Sequence, residues 1–391
     1  MSRNPPQITR AGTWSVIAIA VGAGVVPALQ PLLLGSLLKA GRLDPVTLGH
    51  AATLESLGMA ITSVLATFCL RPAHLRPLMT IALLATFAAG GCTMLAQGAG
   101  IVWARGLNGA ANGLLLWVLV GLMTRARHPA QVFAYYITGQ SIAAFGLSTL
   151  FADVVLPTHG ANAAYLVLLG LNVLLLVAAV PIAPRAFVPL GPGGGSGSEQ
   201  GVISLPPTLG WAALLGVGAQ IAAIMAFWVY AVPLAMRVGF GQEQANRIIS
   251  TANIGLIVAG IAACLTASRF RPVPVILATT AASLVVLLIT ATSSSAAVWT
   301  LGLLIFTFGW TYAPPFHITY LLKADPSGRA AMLVSPAQLL GMAAGPMAAA
   351  GVIASGDLTG ARMVAAAAFA AAFLIALAVQ FGSAPAPVLA D

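Results

Sequence analysis

The chain has 391 residues, 59% of them hydrophobic and only 6% charged, with a formal net charge of +9. A soluble domain carries about 25% charged residues, so this composition excludes a water-covered globule and makes lipid the solvent for most of the chain. The positive excess does not point to nucleic acid, because the 17 basic residues are scattered and form no run interleaved with aromatics.

A helix crossing a hydrocarbon core of roughly 30 Å needs about 20 mostly apolar residues. The segment Met1–Arg10 is short and polar and has no small-residue cleavage site behind it, so the first apolar stretch reads as a retained helix. Six spans follow in order at about 14–38, 46–70, 78–95, 98–124, 130–155 and 162–183. Turn formers separate them, among them Gly41-Arg42-Leu43-Asp44-Pro45, Arg127-His128-Pro129 and Pro157-Thr158-His159-Gly160. Residues 185–206 then break the pattern with Gly191-Pro192-Gly193-Gly194-Gly195-Ser196-Gly197-Ser198, the composition of a flexible tether. Six more spans lie at about 207–235, 245–268, 272–293, 295–322, 331–355 and 361–382. The expected architecture is an all-α membrane protein of twelve transmembrane helices in two pseudo-symmetric six-helix bundles: 1–184, a cytoplasmic Gly/Ser-rich linker at 185–206, and 207–391.

The two halves echo each other at a steady register. Trp14 pairs with Trp211, Arg76-Pro77 with Arg271-Pro272, and Gln140 with Gln338, at offsets of 197, 195 and 198 residues. A duplicated six-helix unit leaves this trace. Basic residues set the orientation. With the N-terminus inside, eleven of them (Arg3, Arg10, Arg71, Arg76, Arg125, Arg127, Arg185, Arg269, Arg271, Lys323 and Arg329) are cytoplasmic and five (Lys39, Arg42, Arg237, Arg247 and Arg362) lie outside. The expected location is the inner membrane, multi-pass, with both termini and the linker cytoplasmic. Cys69, Cys92 and Cys264 lack metal-site spacing and read as small core residues.

Two six-helix halves, a central linker and basic loops after spans 2 and 8 together resemble the major facilitator superfamily over the whole chain. The most specific local match is Arg105-Gly106-Leu107-Asn108-Gly109-Ala110-Ala111-Asn112-Gly113 in span 4, similar to that family's Arg followed by spaced glycines. The loop Leu70-Arg71-Pro72-Ala73-His74-Leu75-Arg76 lacks the family's usual Asp and Gly, and span 5 has no Pro in Gly139-Gln140-Ser141-Ile142-Ala143-Ala144-Phe145-Gly146, which departs from the drug antiporters. The resemblance implies alternating access between rocking halves, with the polar face of span 4 toward substrate or the proton path.

An ionisable group at membrane depth is a functional candidate because it is costly there. Glu55 and Arg105 sit about 13 Å and about 10 Å below the outer ends of spans 2 and 4, at 1.5 Å per residue, so they are expected to face each other. Either charge alone costs about 2.5–3.5 kcal/mol on insertion scales. Glu55 then reads as a proton-accepting group tuned by Arg105, or else the pair is a static lock between two helices. Arg105, Asn108 and Asn112 share one helical face. His317 follows Pro314-Pro315, adjacent prolines that kink a helix; it reads as a titrating or substrate-binding group, or as a packing histidine. Gln30, Tyr136, Gln140, Gln220, Phe227, Trp228, Trp310 and Gln338 complete a set of polar and aromatic groups from both halves, of the kind that lines a small-molecule site. For each the alternative is helix packing or interfacial anchoring.

No hydrolase, zinc-protease or phosphate-loop motif is present, so an enzyme is not expected, nor a cofactor or metal. The function expected is a proton-coupled secondary transporter, a monomer in the bilayer, carrying a small, weakly polar or monoanionic organic solute. The alternatives are a facilitated-diffusion uniporter on the same fold and a non-transporting membrane receptor. The topology makes a direct test: a cysteine introduced by Ser196→Cys is expected to react with impermeant thiol reagents only from the cytoplasmic face, and labelling from the periplasm would overturn the orientation.

Overall fold

The computed structural model describes residues 8–69, 75–123, 126, 129–180, 182, 205–266, 269–353 and 357–382. The expected linker, apart from Leu205 and Pro206, lies outside the described residues, as do Arg3, Arg71, Arg125, Arg127 and Arg185. The chain is an all-α membrane protein. In its first half come α1 (Arg10–Gly24), α2 (Val26–Lys39), α3 (Pro45–Cys69), α4 (Leu75–Leu95), α5 (Ala99–Met123), α6 (Pro129–Leu150), a π-helical turn at Phe151–Val155, and α7 (Leu156–Ala178). In its second half come α8 (Thr208–Trp228), α9 (Ala231–Arg237), α10 (Gln242–Ala252), α11 (Ile254–Thr266), α12 (Pro272–Thr292), α13 (Ala296–Tyr312), α14 (Pro314–Ala324), α15 (Arg329–Met332), α16 (Val334–Val352) and α17 (Thr359–Gly382).

Each expected span corresponds, in order, to a helix or to a helix broken once. Apolar length alone supports fewer. Among the described residues, eight helices are long and apolar enough to cross a membrane, or nine if α13 and α14, bent by 47°, count as one span. One of the eight, Tyr135–Ala178, is a 44-residue run that covers most of two expected spans. The chain turns inside it at Gly160, whose φ of 71° falls where glycine is favoured. The two long helices outside that set are α3, which carries Glu55, and α16, which carries Gln338, Pro346 and several glycines. Polar and small residues lower the hydropathy of α16, whereas α3 keeps an apolar stretch over 51–68 in which Glu55 is the one charged residue.

The two halves repeat the same packing. α3 lies along α5 as α11 lies along α13, α1 meets α6 as α8 meets α16, and α4 meets α7 as α12 meets α17. Without a hydrophobic drive between helices in lipid, close backbone approach through small residues holds such pairs. A Cβ on Gly58 of α3 would come 2.6 Å from the Gly106 carbonyl oxygen, and one on Gly255 of α11 would collide with the Leu304 carbonyl oxygen. Gly58 and Gly255 are 197 residues apart, the register already seen in Gln140 and Gln338. The glycines of the span-4 motif therefore have a packing cause: a Cβ on Gly109 or Gly113 would strike the backbone carbonyl of Glu55 or Met59.

The loops repeat as well. Arg42, expected only as an orientation-setting charge, donates from Nη1 to Asn162 Oδ1 at 2.7 Å and from Nη2 to the carbonyls of Met94 and Ala96 at 2.9 and 2.6 Å, closing the C-terminal end of α4. Its counterpart Arg237 pairs with Asp357 at 2.8 Å, and both partners sit 195 residues beyond Arg42 and Asn162. Asp44 opens α3 by accepting the N–H groups of Val46 and Thr47, which hold its carboxyl below the usual carboxylate range, the Thr47 amide most strongly. One expectation fails: Cys92 and Cys264 are exposed on the outer surface of the bundle, not in its core, because lipid accepts a thiol as readily as a core does. The side chain of Cys69 lies outside the described residues.

Gly109→Ala is expected to destabilise the purified protein by about 3 kcal/mol or more, the top of the overpacking range, read as a loss of thermal stability in detergent. Gly91→Ala on α4, whose Cβ meets open space, is the control and is expected to change stability by no more than about 0.5 kcal/mol.

Candidate functional site

The close crossing of α3 and α5 brings the buried charges together. Glu55 and Arg105 are 1% and 3% exposed. Arg105 Nη2 is hydrogen-bonded to Glu55 Oε1, and its Nε donates to Oε2 at 3.2 Å. Asn108 Nδ2 donates to Oε1 at 2.7 Å and Gln30 Nε2 to Oε2 at 3.1 Å. The carboxylate thus accepts four N–H donors from two helices, α2 and α5, which is how a charge is tolerated in a low-dielectric interior. The guanidinium also lies 6.0 Å from the centroid of the Tyr165 ring on α7.

This cluster does not face the space between the halves. Arg105, Asn108 and Asn112 line a small cavity of about 40 Å³ inside the first half of the chain, closed by Thr86 of α4, Gly22 of α1 and Tyr165 and Asn172 of α7. Asn108 and Asn112, expected to line a substrate space, lie on the face of α5 that turns inward with Arg105, which reaches Glu55. The Tyr165 hydroxyl and Gln30 Oε1 have no hydrogen-bond partner among the described residues.

The second half holds a neutral counterpart. His317, 1% exposed, meets Gln220 Oε1 through Nε2 at 2.9 Å, and Gln338 Nε2 approaches its Nδ1 at 3.4 Å. With these partners the imidazole carries its proton on Nε2 and accepts at Nδ1. The 47° bend between α13 and α14 directs His317 toward α8 and α16.

Between the halves, a layer of Ala28, Ala144 and Leu256 packs with half-buried Trp310. On one side of it, toward the loop that joins α2 to α3, a single hydrophobic core contains residues of both halves, from Leu29 and Leu37 to Phe227, Trp228 and Tyr230. Specific contacts seal this end. Trp228 Nε1 donates to the Pro27 carbonyl at 3.2 Å, the Tyr230 hydroxyl to the Pro45 carbonyl at 3.0 Å and Asn253 Nδ2 to Ser148 Oγ at 3.0 Å, while Arg247 pairs with Asp153 at 2.9 Å. On the other side, where α1 begins and α17 ends, each half has its own core. The molecule is therefore sealed across its halves at one end and divided at the other.

Trp228 and Phe227 are both fully buried in the seal, with Phe227 edge-on to Phe306 at 5.1 Å and Trp228 at 5.7 Å from Trp310. Neither points into lipid. Half-buried Gln140 lies one turn from Ala144 on the face of α6 that meets α11, and its Nε2 donates to the Gly24 carbonyl at 2.7 Å, where α1 breaks into α2. Half-buried Tyr136 lies beside it, its hydroxyl within reach of a Cβ on Gly24. Gln338, Met342, Pro346 and Ala350 form one stripe along α16, the helix that meets α3. Gln140 and Gln338 thus occupy equivalent places at the divided end of the two facing surfaces. Sequence reasoning missed Tyr165, Ser148 and Asn253. The repeat register would have found the paired glycines, whereas uncharged hydroxyls and an amide inside apolar spans give no such signal.

The whole chain is similar in fold to solved structures of transporters. It superposes on the crystal structure of the nucleoside transporter NupG with a TM-score of 0.71 and 11% identity, covering 95% of this chain and 99% of that one. It matches the human organic anion transporter MFSD10 (TETRAN) at 0.62 and 16%, covering 95% and 99%, and the major facilitator superfamily transporter FucP in its outward conformation at 0.60 and 16%, covering 96% and 100%. No protein-family model matches the sequence, and no curated protein does. The chain has the major facilitator superfamily fold.

The charged cluster predicts a non-additive mutational response. Arg105→Ala strands a buried carboxylate and Glu55→Gln strands a buried guanidinium, and each is expected to cost about 3–5 kcal/mol, the guanidinium being the harder to relieve because it cannot give up its charge. The double variant Glu55→Gln/Arg105→Gln is expected to be more stable than Arg105→Ala alone. Additive losses in thermal unfolding would show that the two side chains do not act as a pair.

Proposed function

We propose that this protein is a secondary transporter in a bacterial-type inner membrane, with both termini cytoplasmic, that carries a small, weakly polar or monoanionic organic solute by alternating access. The observation that carries the reading is the division of the interior: one core joins the halves at one end, and each half has a core of its own at the other. Rocking the halves about the layer of Ala28, Ala144, Leu256 and Trp310 exchanges which end is joined. The seal suits such an exchange, since four of its contacts are single hydrogen bonds or a solvent-exposed ion pair, each worth about 1 kcal/mol or less. Tyr136 and Gln140 from one half and Gln338 from the other, with Trp310 above them, offer a solute an aromatic wall and amide groups. That donor set fits a molecule with few hydrogen-bonding groups and does not fit a dianion. The transporters of similar fold are described as handling nucleosides and organic anions, which is compatible with that class.

Within this reading Glu55 is the proton-responsive group. Gln30 is the link to transport, because it lies on α2, whose first residues are held to the second half by Trp228. Movement of α2 when the seal opens withdraws one of the four donors from the carboxylate and favours its protonated form. A second reading is favoured by one observation: all four donors come from the first half of the chain, as a fixed lock between α2, α3 and α5 would require. In that case the protein is a uniporter.

The test begins with a thermal-shift screen of purified protein against weakly polar and monoanionic metabolites, in which a bound ligand stabilises by mass action. The ligand so found is then followed into proteoliposomes. Glu55→Gln is expected to abolish accumulation driven by a proton gradient while counterflow exchange continues. Accumulation by Glu55→Gln at the wild-type rate would remove the proton role and leave the uniporter reading.

A further inference from the structure

A second cavity, lined by none of the residues of the paired networks, lies on the lipid-facing side of the second half. It has a volume of about 680 Å³ and runs between α12 and α13. Its floor is made of small residues, with Ala278 and Ala282 of α12 in the groove and Ile305 and Phe308 of α13 forming the opposite wall. Its mouth carries Arg269 and Arg271, both exposed. Arg271 is the N-cap of α12. The ion pairs among the described residues are Glu55–Arg105, Arg237–Asp357 and Arg247–Asp153, so neither mouth arginine meets an acidic side chain there.

Two features select the occupant. From Arg271 to Ala282 the helix rises about 16 Å, which is one leaflet of a hydrocarbon core roughly 30 Å thick. The groove therefore starts at a membrane surface and ends near the midplane, the reach of one acyl chain. The charge is also placed against local electrostatics. An α-helix presents the positive end of its dipole at its N-terminus, and α12, 21 residues long, has two arginines at that end. An anion bound there relieves both. The geometry points to a binding site for an anionic phospholipid, with its phosphate between Arg269 and Arg271 and one acyl chain along Ala278 and Ala282.

The occupied groove borders the bend between α13 and α14 through Tyr312. A chain lying in it braces α13 against α12 and stiffens the second half. The site does not depend on which solute is carried, or on whether protons are coupled.

The experiment uses the full-length protein purified in a neutral detergent, delipidated and returned to defined lipid. Native mass spectrometry is expected to show phosphatidylglycerol retained in preference to phosphatidylcholine. Arg269→Gln/Arg271→Gln is expected to weaken phosphatidylglycerol retention about five-fold per arginine removed, while Arg269→Lys/Arg271→Lys keeps most of it. Ala282→Phe, with both arginines in place, is expected to lower retention by filling the groove, and thermal unfolding in lipid-free detergent checks that each variant folds. Equal retention of the two lipids by the wild type would overturn the proposal, as would wild-type retention by the double glutamine variant. So would thermal stabilisation by inorganic phosphate equal to that by phosphatidylglycerol, which would mark a site for free anion.

Discussion

A carboxylate and a guanidinium in the hydrocarbon layer can exist only together. Either one alone costs more than a typical helix contact returns, so Glu55 and Arg105 impose a fixed meeting of α3 with α5. The rest of the first half follows from that constraint. Their helices must approach until two side chains touch, which removes room for any Cβ at Gly58, Gly109 and Gly113. Arg105 must turn inward, and with it go Asn108 and Asn112, whose spacing fixes them to the same face. Gln30 and Asn108 supply the remaining donors that the carboxylate needs. A motif of one arginine and spaced glycines is thus a single device, in which the glycines let the arginine reach its acid.

Much of the architecture was legible in the sequence because lipid simplifies the code. A span must be long and apolar, a buried charge must be paired, and a duplicated unit keeps its register. Those three rules place the helices, join Glu55 to Arg105, and align Gln140 with Gln338. The same register extends to Gly58 with Gly255 and to the pairs Arg42–Asn162 and Arg237–Asp357, where one repeat uses an amide and the other a carboxylate for the same loop clasp. What the sequence hid was direction around the helix axis. Periodicity puts Asn108 and Asn112 on one face, but nothing local says whether that face looks into its own bundle or across to the other. The answer lies with Glu55, 53 residues away from Asn108. Trp228 was hidden for a related reason: a large aromatic with one N–H donor suits a ligand site and a helix seal equally well, and only the Pro27 carbonyl opposite it decides between them.

The seal and the paired networks differ in kind. The contacts that join the halves are dispersed and mostly neutral, so under the proposed function they can be exchanged for others of similar energy. The Glu55 cluster is dense and charged, so it resists exchange. A protein that moves two rigid bodies against each other needs both properties: stiff bundles that keep their shape and an interface whose contacts are individually weak. Gln140 and the break between α1 and α2 lie where the two meet. The Gly24 carbonyl, freed where α1 ends, accepts from Gln140 of α6, so the hinge in the first span stays hydrogen-bonded in a medium that leaves no backbone group unpaired.

The two halves keep one geometry and fill it with different chemistry. In the first half the buried polar cluster is a carboxylate with a guanidinium; in the second it is an imidazole between two amides. The first is costly to dismantle, because separation leaves a charge in a low-dielectric interior. The second loses only neutral hydrogen bonds when it rearranges, at about 1 kcal/mol each. Free energy from an ion gradient can be stored only where a change of protonation alters a large interaction, so under the proposed function coupling belongs to the first half. Recognition of a weakly polar solute needs groups that trade one neutral partner for another, and Gln338 is placed for that. It holds His317 at 3.4 Å, a long contact that a solute amide or hydroxyl can replace, while Gln220 at 2.9 Å keeps the ring in position.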